Sequence, residues 1–114
     1  MSKLVLHLFH DDPGAQSAVP ALVERIFRAA PANGANLELY VFGPAEGLLA
    51  SSEHQEFNAQ IDSLVKLGVR VTACIGLAQK FGAEEGFRRR GIALESAAVA
   101  FPRYAVEGAT VVSF

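Results

Sequence analysis

Apolar residues along this chain recur with two different periods, and the switches between them mark out its elements. Lys3 to Phe9 (KLVLHLF) is short, apolar and nearly continuous, as expected of a strand covered on both faces. Asp12 and Pro13 follow, the first suited to cap a helix and the second to open one, where a missing N–H costs nothing. Val19, Leu22, Val23, Ile26 and Phe27 share one helical stripe, and Pro31-Ala32-Asn33-Gly34 is expected to end that helix after about residue 30. The period then falls to two in Asn36 to Phe42: Leu37, Leu39 and Val41 take one face, and Glu38, Tyr40 and Phe42 the other.

Gly43-Pro44 stops that strand. Ala45 to Ser52 is expected to form a loop or short helical turn, with Ser51 or Ser52 capping a second long helix whose buried stripe is Phe57, Ile61, Leu64 and Val65. After Gly68, Val69, Val71 and Ala73 alternate with Arg70 and Thr72, which predicts a strand running up to Cys74. Leu77, Ala78 and Phe81 resume a helical spacing and Gly82 ends it. Glu84 to Arg90 reads as a short helix and Ile92 to Leu94 as a short strand. Phe101-Pro102-Arg103-Tyr104 is expected to open a last helical turn, and Ala109 to Phe114 to close the chain as a strand. Strands and helices alternating in this way predict an α/β domain with a parallel sheet between helical layers.

The length, 114 residues, suits a single domain, residues 1–114, with no linker or repeat. A hydrophobic content of 51% and a mean hydropathy of +0.26 are high for a small soluble monomer, so part of the apolar surplus is expected in a subunit interface. Ala97 to Phe101, with Tyr104 and Val106, is the best candidate; Pro102 is expected to break it into an irregular face. A net charge of −2 speaks against nucleic acid as a partner. No apolar run is long enough to cross a membrane, and one cysteine forbids an internal disulfide. The expectation is a cytoplasmic protein.

Candidate chemistry gathers at the carboxyl ends of the strands, where ligands bind in open parallel sheets. Those ends should carry His10 and Asp11, then Gly43, then Cys74 with Gly76 just beyond it, then Glu95. Cys74 sits where a strand gives way to a helix, a position that favours thiolate over thiol; the competing reading is a small buried residue that fills the core. His10 and Asp11 could act as base and orienter for that thiol, or merely occupy a capping loop. His7 is expected to be a core histidine with a satisfied hydrogen bond, and Arg88-Arg89-Arg90 a solvated helix face. With no Gly-rich phosphate loop, no nucleotide cofactor is expected, and one cysteine with three scattered histidines gives no metal site.

Four segments carry a family resemblance: LVLHLFHDD at residues 4–12, LELYVFG at 37–43, LVKLGVRVTAC from Leu64 to Cys74, and GATVVSF from Gly108 to Phe114. Through them the whole chain resembles the DsrE/DsrF-like proteins of intracellular sulfur metabolism. The resemblance implies a three-layer α/β/α sandwich with a mostly parallel five-stranded sheet, assembled as homotrimers or homohexamers. It also implies a sulfurtransferase-like carrier with a persulfide on Cys74, which needs no cofactor and relays sulfur from a donor protein to an acceptor thiol. In such a carrier the strand-end placement would have His10 assist Cys74, and Asp11, Gly43 and Gly76 line the substrate. After Cys74 the chain reads Ile-Gly-Leu-Ala-Gln where many relatives carry asparagine or small residues. The alternative is a non-enzymatic homo-oligomeric module of the same fold, binding a small ligand or partner with Cys74 as lining.

Overall fold

The computed structural model describes residues 2–33 and 35–114. The elements follow in the order β1 (Ser2–Leu8), α1 (Pro13–Asn33), β2 (Ala35–Val41), α2 (Pro44–Ala50), α3 (Gln55–Leu67), β3 (Arg70–Ala73), α4 (Ile75–Lys80), α5 (Glu84–Arg89), β4 (Ala93–Leu94), α6 (Ala97–Val106) and β5 (Thr110–Ser113). All five strands are parallel in the order β4-β3-β2-β1-β5. The chain winds outward from β1 to β4, then returns to set β5 on the free side of β1. The result is the three-layer α/β/α sandwich expected from the alternation of elements.

Register sorts the side chains between two unequal faces. Leu6, Leu8, Leu39, Val41, Val71 and Ala73 face the larger core, which α1, α3 and the short helices close. Val5, Tyr40 and Cys74 face the other way, against Ala100 and Tyr104 of α6. Strand β5 is exposed along its whole length. Fully burying a large apolar side chain is worth roughly 1.5–3 kcal/mol, so most of the driving force lies on the first face.

Several boundaries depart from expectation. Helix α1 continues through Pro31 to Asn33, and Gly34, expected to end it, lies outside the described residues. Helix α3 starts at Gln55 behind His54 and has no side-chain cap; the Ser51 hydroxyl instead accepts from the Glu53 N–H. Asn58 does the stabilising there, its side-chain amide donating to the carbonyls of Leu48, Ser51 and His54. Helix α6 begins four residues before Phe101, capped by the Ser96 hydroxyl, which accepts from the Ala98 N–H. Pro102 therefore sits inside a continuous helix instead of breaking it. Proline removes the donor for the Ala98 carbonyl, but both residues are exposed, so water can satisfy it. Gly43 has φ +90°, and a Cβ there would lie 2.4 Å from the Phe9 ring; this tight turn needs glycine on both counts.

The arginine run divides. Arg88 pairs with Glu84 one turn back and Arg89 is exposed, as a solvated face would have them. Arg90 turns inward, donating to Asp62 Oδ1 (2.7 Å), the Leu49 carbonyl (3.0 Å) and Asn58 Oδ1 (2.9 Å), and so ties the end of α5 to α2 and α3. Hydrogen bonds to a charged group contribute about 1.5–3 kcal/mol each where partners are part-buried. Arg90→Ala should therefore cost about 2–4 kcal/mol in urea unfolding, while Arg89→Ala should stay within about 0.5 kcal/mol. Equal effects would remove Arg90 from this structural role.

Candidate functional site

The second face of the sheet carries an unusual amount of polar chemistry for a buried surface. Directly paired positions place Ser113, His7, Tyr40 and Thr72 in one row across β5, β1, β2 and β3. Ser113 Oγ and His7 Nδ1 are 3.0 Å apart. The Tyr40 hydroxyl donates to the Glu95 carbonyl at 2.7 Å, beyond the end of β4. His7 Nε2 and Thr72 Oγ1 have no partner. His7 is 8% exposed and packed among Phe9, Tyr40, Phe42 and Phe101, so only one of its two ring nitrogens meets the sequence expectation. Burial, reinforced by the neighbouring His10, holds the His7 pKa below its usual value and keeps the ring neutral.

Two residues beyond Thr72 lies Cys74. It follows β3 and serves as the N-cap residue of α4, though its side chain makes no capping hydrogen bond. Its sulfur points into the α6 face with Tyr40, Ala100 and Tyr104, leaving the residue 6% exposed. The Cys74 N–H donates both to the Val41 carbonyl (3.3 Å) and to Glu46 Oε1 (3.1 Å). Glu46, in the first turn of α2, is completely buried, and its Oε2 has no partner. Desolvation dominates the Cys74 N–H bond there, and pushes the Glu46 pKa up to about 8. At neutral pH, Cys74 thus has an uncharged carboxyl beside its backbone and a phenol beside its sulfur. Burial, with the adjacent Cys74 thiol, also raises the Tyr40 pKa.

The remaining expected residues are distributed as follows. His10 is exposed beyond β1; its ring faces Phe9 and its N–H donates to the Phe114 carbonyl, on the β5 side of the strand. Cys74 ends β3, with β2 lying between, and His10 and Cys74 share no contact in the buried cluster. Asp11 is exposed, its carbonyl accepting from the Gln16 side chain, and Asp12 caps α1 through the Ala15 N–H. Gly43 makes the turn into α2 between Phe9 and Glu46. At Gly76 a Cβ would stand 3.8 Å from Cys74 Sγ, ordinary contact distance. The structure therefore gathers Cys74 and Gly76 with Tyr40 and Glu46, and leaves His10 and Asp11 on the neighbouring rim. Tyr40 and Glu46 escaped sequence reasoning because one looked like a strand aromatic and the other like an ordinary helix acid.

Among the described residues, no three His, Cys, Asp or Glu side chains come together as a metal site would require. A shallow cleft between the first turns of α1 and α3, lined by Gln16, Ser17, Glu56 and Phe57, shares no residue with the Cys74 cluster.

Buried Glu46 gives this site a pH signature. In the unfolded chain the carboxyl loses its proton near 4.5, but in the fold it holds it to about 8. The native state thus binds the extra proton between those values, so Glu46 lowers stability progressively as pH rises through that window. Glu46→Gln keeps an acceptor for the Cys74 N–H without the charge. It should raise the urea midpoint at pH 8, by about 2 kcal/mol or more in stability, and change it little at pH 5. His7 titrates in both proteins and cancels from the comparison. A shift of equal size at both pH values would show that Glu46 does not hold this proton.

No family model and no curated protein matches the chain. Among solved structures, it is similar to a conserved protein of unknown function from Bacteroides thetaiotaomicron, with a TM-score of 0.74 at 14% identity, covering 96% of this chain and 94% of the other. It is also similar to a protein of unknown function from Methanobacterium thermoautotrophicum, with a TM-score of 0.70 at 19% identity and full coverage of both chains. At such identities the likeness shows the fold alone.

Proposed function

We propose that this protein is a sulfurtransferase-like carrier of the DsrE/DsrF-like kind, holding sulfane sulfur on Cys74. The observation that best supports the reading is the setting of that thiol: the end of a central parallel strand, with the Tyr40 phenol beside the sulfur and a buried carboxyl with a free oxygen on its backbone. In the transfer, the Cys74 thiolate attacks a donor's outer sulfur, a new S–S bond forms, and the donor's own S–S bond breaks with its electron pair on the departing group. An acceptor thiolate repeats the exchange on Cys74, so no external oxidant or reductant is consumed. Such a carrier belongs in the cytoplasm, where thiols are kept reduced; no helix among the described residues is long and apolar enough to cross a membrane.

Wild-type protein offered inorganic polysulfide and, separately, dissolved elemental sulfur should gain sulfur in its intact mass from at least one of them, and Cys74→Ser should gain none from either. A wild type that stays unmodified would favour the competing reading, a ligand-binding module with Cys74 as lining, which the 6% exposure of Cys74 supports.

Self-association as a trimer or a dimer of trimers belongs to the same proposal. The surface meant for it shifts: Phe101 packs inward against His7 and Tyr40, whereas Val99 is 56% and Val106 90% exposed on α6, and the edge strand β5 leaves Val111 and Val112 uncovered. Sedimentation should give a multiple of the 12.1 kDa chain, reduced by Val106→Glu. A wild-type monomer at micromolar concentration would end this part of the proposal.

A further inference from the structure

Charge around Cys74 is distributed in a way that bears on what can reach it. The sulfur is packed by Tyr40, Ala100 and Tyr104, with Phe42, Leu77 and Phe101 at the margins of the same cluster. The acidic groups close to this cluster are Glu46, on the Cys74 N–H, Glu38, on the Tyr104 hydroxyl, and Glu95, whose carbonyl holds the Tyr40 hydroxyl. The cations of this face are committed elsewhere. Lys3 and Arg103 lie over the outer side of the Tyr104 ring, but Lys3 pairs with Glu38 and Glu107, Arg70 with Glu38, and Arg103 with Glu38, Glu95 and Glu107. Lys3 and Arg70 also belong to the opening turns of their strands; Arg70 is four residues before Cys74, roughly 13 Å at the rise of a strand. An anion approaching Cys74 would shed its hydration among apolar and aromatic side chains without meeting an uncommitted cation.

We propose that the Cys74 site takes its sulfur from an uncharged, lipophilic sulfane compound, of the class of the elemental sulfur ring or an organic polysulfane, and discriminates against anionic donors such as thiosulfate. The inference rests on the carrier reading and adds the substrate class to it. With the sulfur ring, the thiolate attacks one ring sulfur, the adjacent S–S bond opens, and its electron pair passes to the far sulfur. That sulfur becomes the terminus of a polysulfane chain on Cys74, from which an acceptor thiolate takes sulfur. With thiosulfate the leaving group is sulfite, and the dianion must enter the site intact before it can leave. The uncharged state of Glu46 up to about pH 8 suits the first route, since it keeps a formal charge away from the growing chain.

Two measurements on the intact wild-type protein test the inference and separate it from the carrier reading. The first compares the rates at which neutral, anionic and cationic methanethiosulfonates modify Cys74, each divided by its rate with free cysteine. In every case the thiolate takes the reagent's sulfenyl group and methanesulfinate departs, so only reagent charge varies. The neutral reagent should exceed the anionic one by on the order of tenfold or more. Leu77→Lys, which sets an ammonium beside the sulfur, should narrow that gap. The second measures sulfur gained in the intact mass from dissolved elemental sulfur and from thiosulfate, with faster loading from the ring expected. Equal normalised rates for neutral and anionic reagents, or faster loading from thiosulfate, would overturn the substrate class and leave the carrier standing. Charge-selective labelling with no sulfur gained from either donor would overturn the carrier reading and the donor class with it. No reaction with any reagent in the folded protein would overturn both.

Discussion

A carboxylate in the middle of a sheet must be answered by its neighbours, and the way Glu38 is answered holds the second face of this protein together. Glu38 is 1% exposed on the central strand β2. It accepts a hydrogen bond from the Tyr104 hydroxyl and lies within ion-pair distance of Lys3 (3.1 Å), Arg70 (3.5 Å) and Arg103 (3.8 Å). The Lys3 contact has ion-pair distance without the angles of a directed hydrogen bond, so Tyr104 is the directional partner. Two of the four partners come from α6 and two from neighbouring strands. A charge paired in this way adds little net stability, but leaving it unpaired is costly, and that asymmetry fixes where α6 lies.

The position of α6 in turn creates the site. Arg103 carries the network on to Glu95 through both carboxylate oxygens, and the Glu95 backbone receives the Tyr40 hydroxyl. Ala100 and Tyr104 press on the sheet and close over the Cys74 side chain, while Phe101 fills the space above His7. The same helix therefore supplies structural ion pairs at one end of the strands and the walls of the thiol site at the other. Its small residues matter: Ala100 is fully buried where a larger side chain would lift the helix from Tyr40 and Cys74.

The first face asks for less of this, since the apolar side chains of α1, α3 and the short helices fill the larger core against it. The two sides of the sheet thus divide the work, one providing stability through area and the other positioning through polar groups. Among the unpartnered buried atoms, His7 Nε2 and Thr72 Oγ1 belong to the second side, and Glu46 Oε2 lies on α2 beside the Cys74 backbone. Buried polar groups without partners destabilise a fold, so the free Glu46 oxygen beside the Cys74 backbone is the structural feature that most favours a working site there.

By itself the sequence determined the order of elements, the parallel sheet, the strand-end placement of Cys74 and the capping role of Asp12, because each follows from local period and local backbone chemistry. It also determined which residues share a face, since alternation along β2 separates Leu39 from Glu38 and Tyr40 whatever the fold. Only the tertiary structure decided that both faces of β2 are buried, that Arg90 leaves its solvated neighbours to bind Asp62 and Asn58, and that α6 passes straight through Pro102. The partners of Cys74 belong to the same class: Glu46 arrives from 28 residues away and Glu95, through Tyr40, from another strand end. No local pattern distinguishes a helix acid that will be desolvated from one that will stay in water, because burial is decided by what the rest of the chain lays over it.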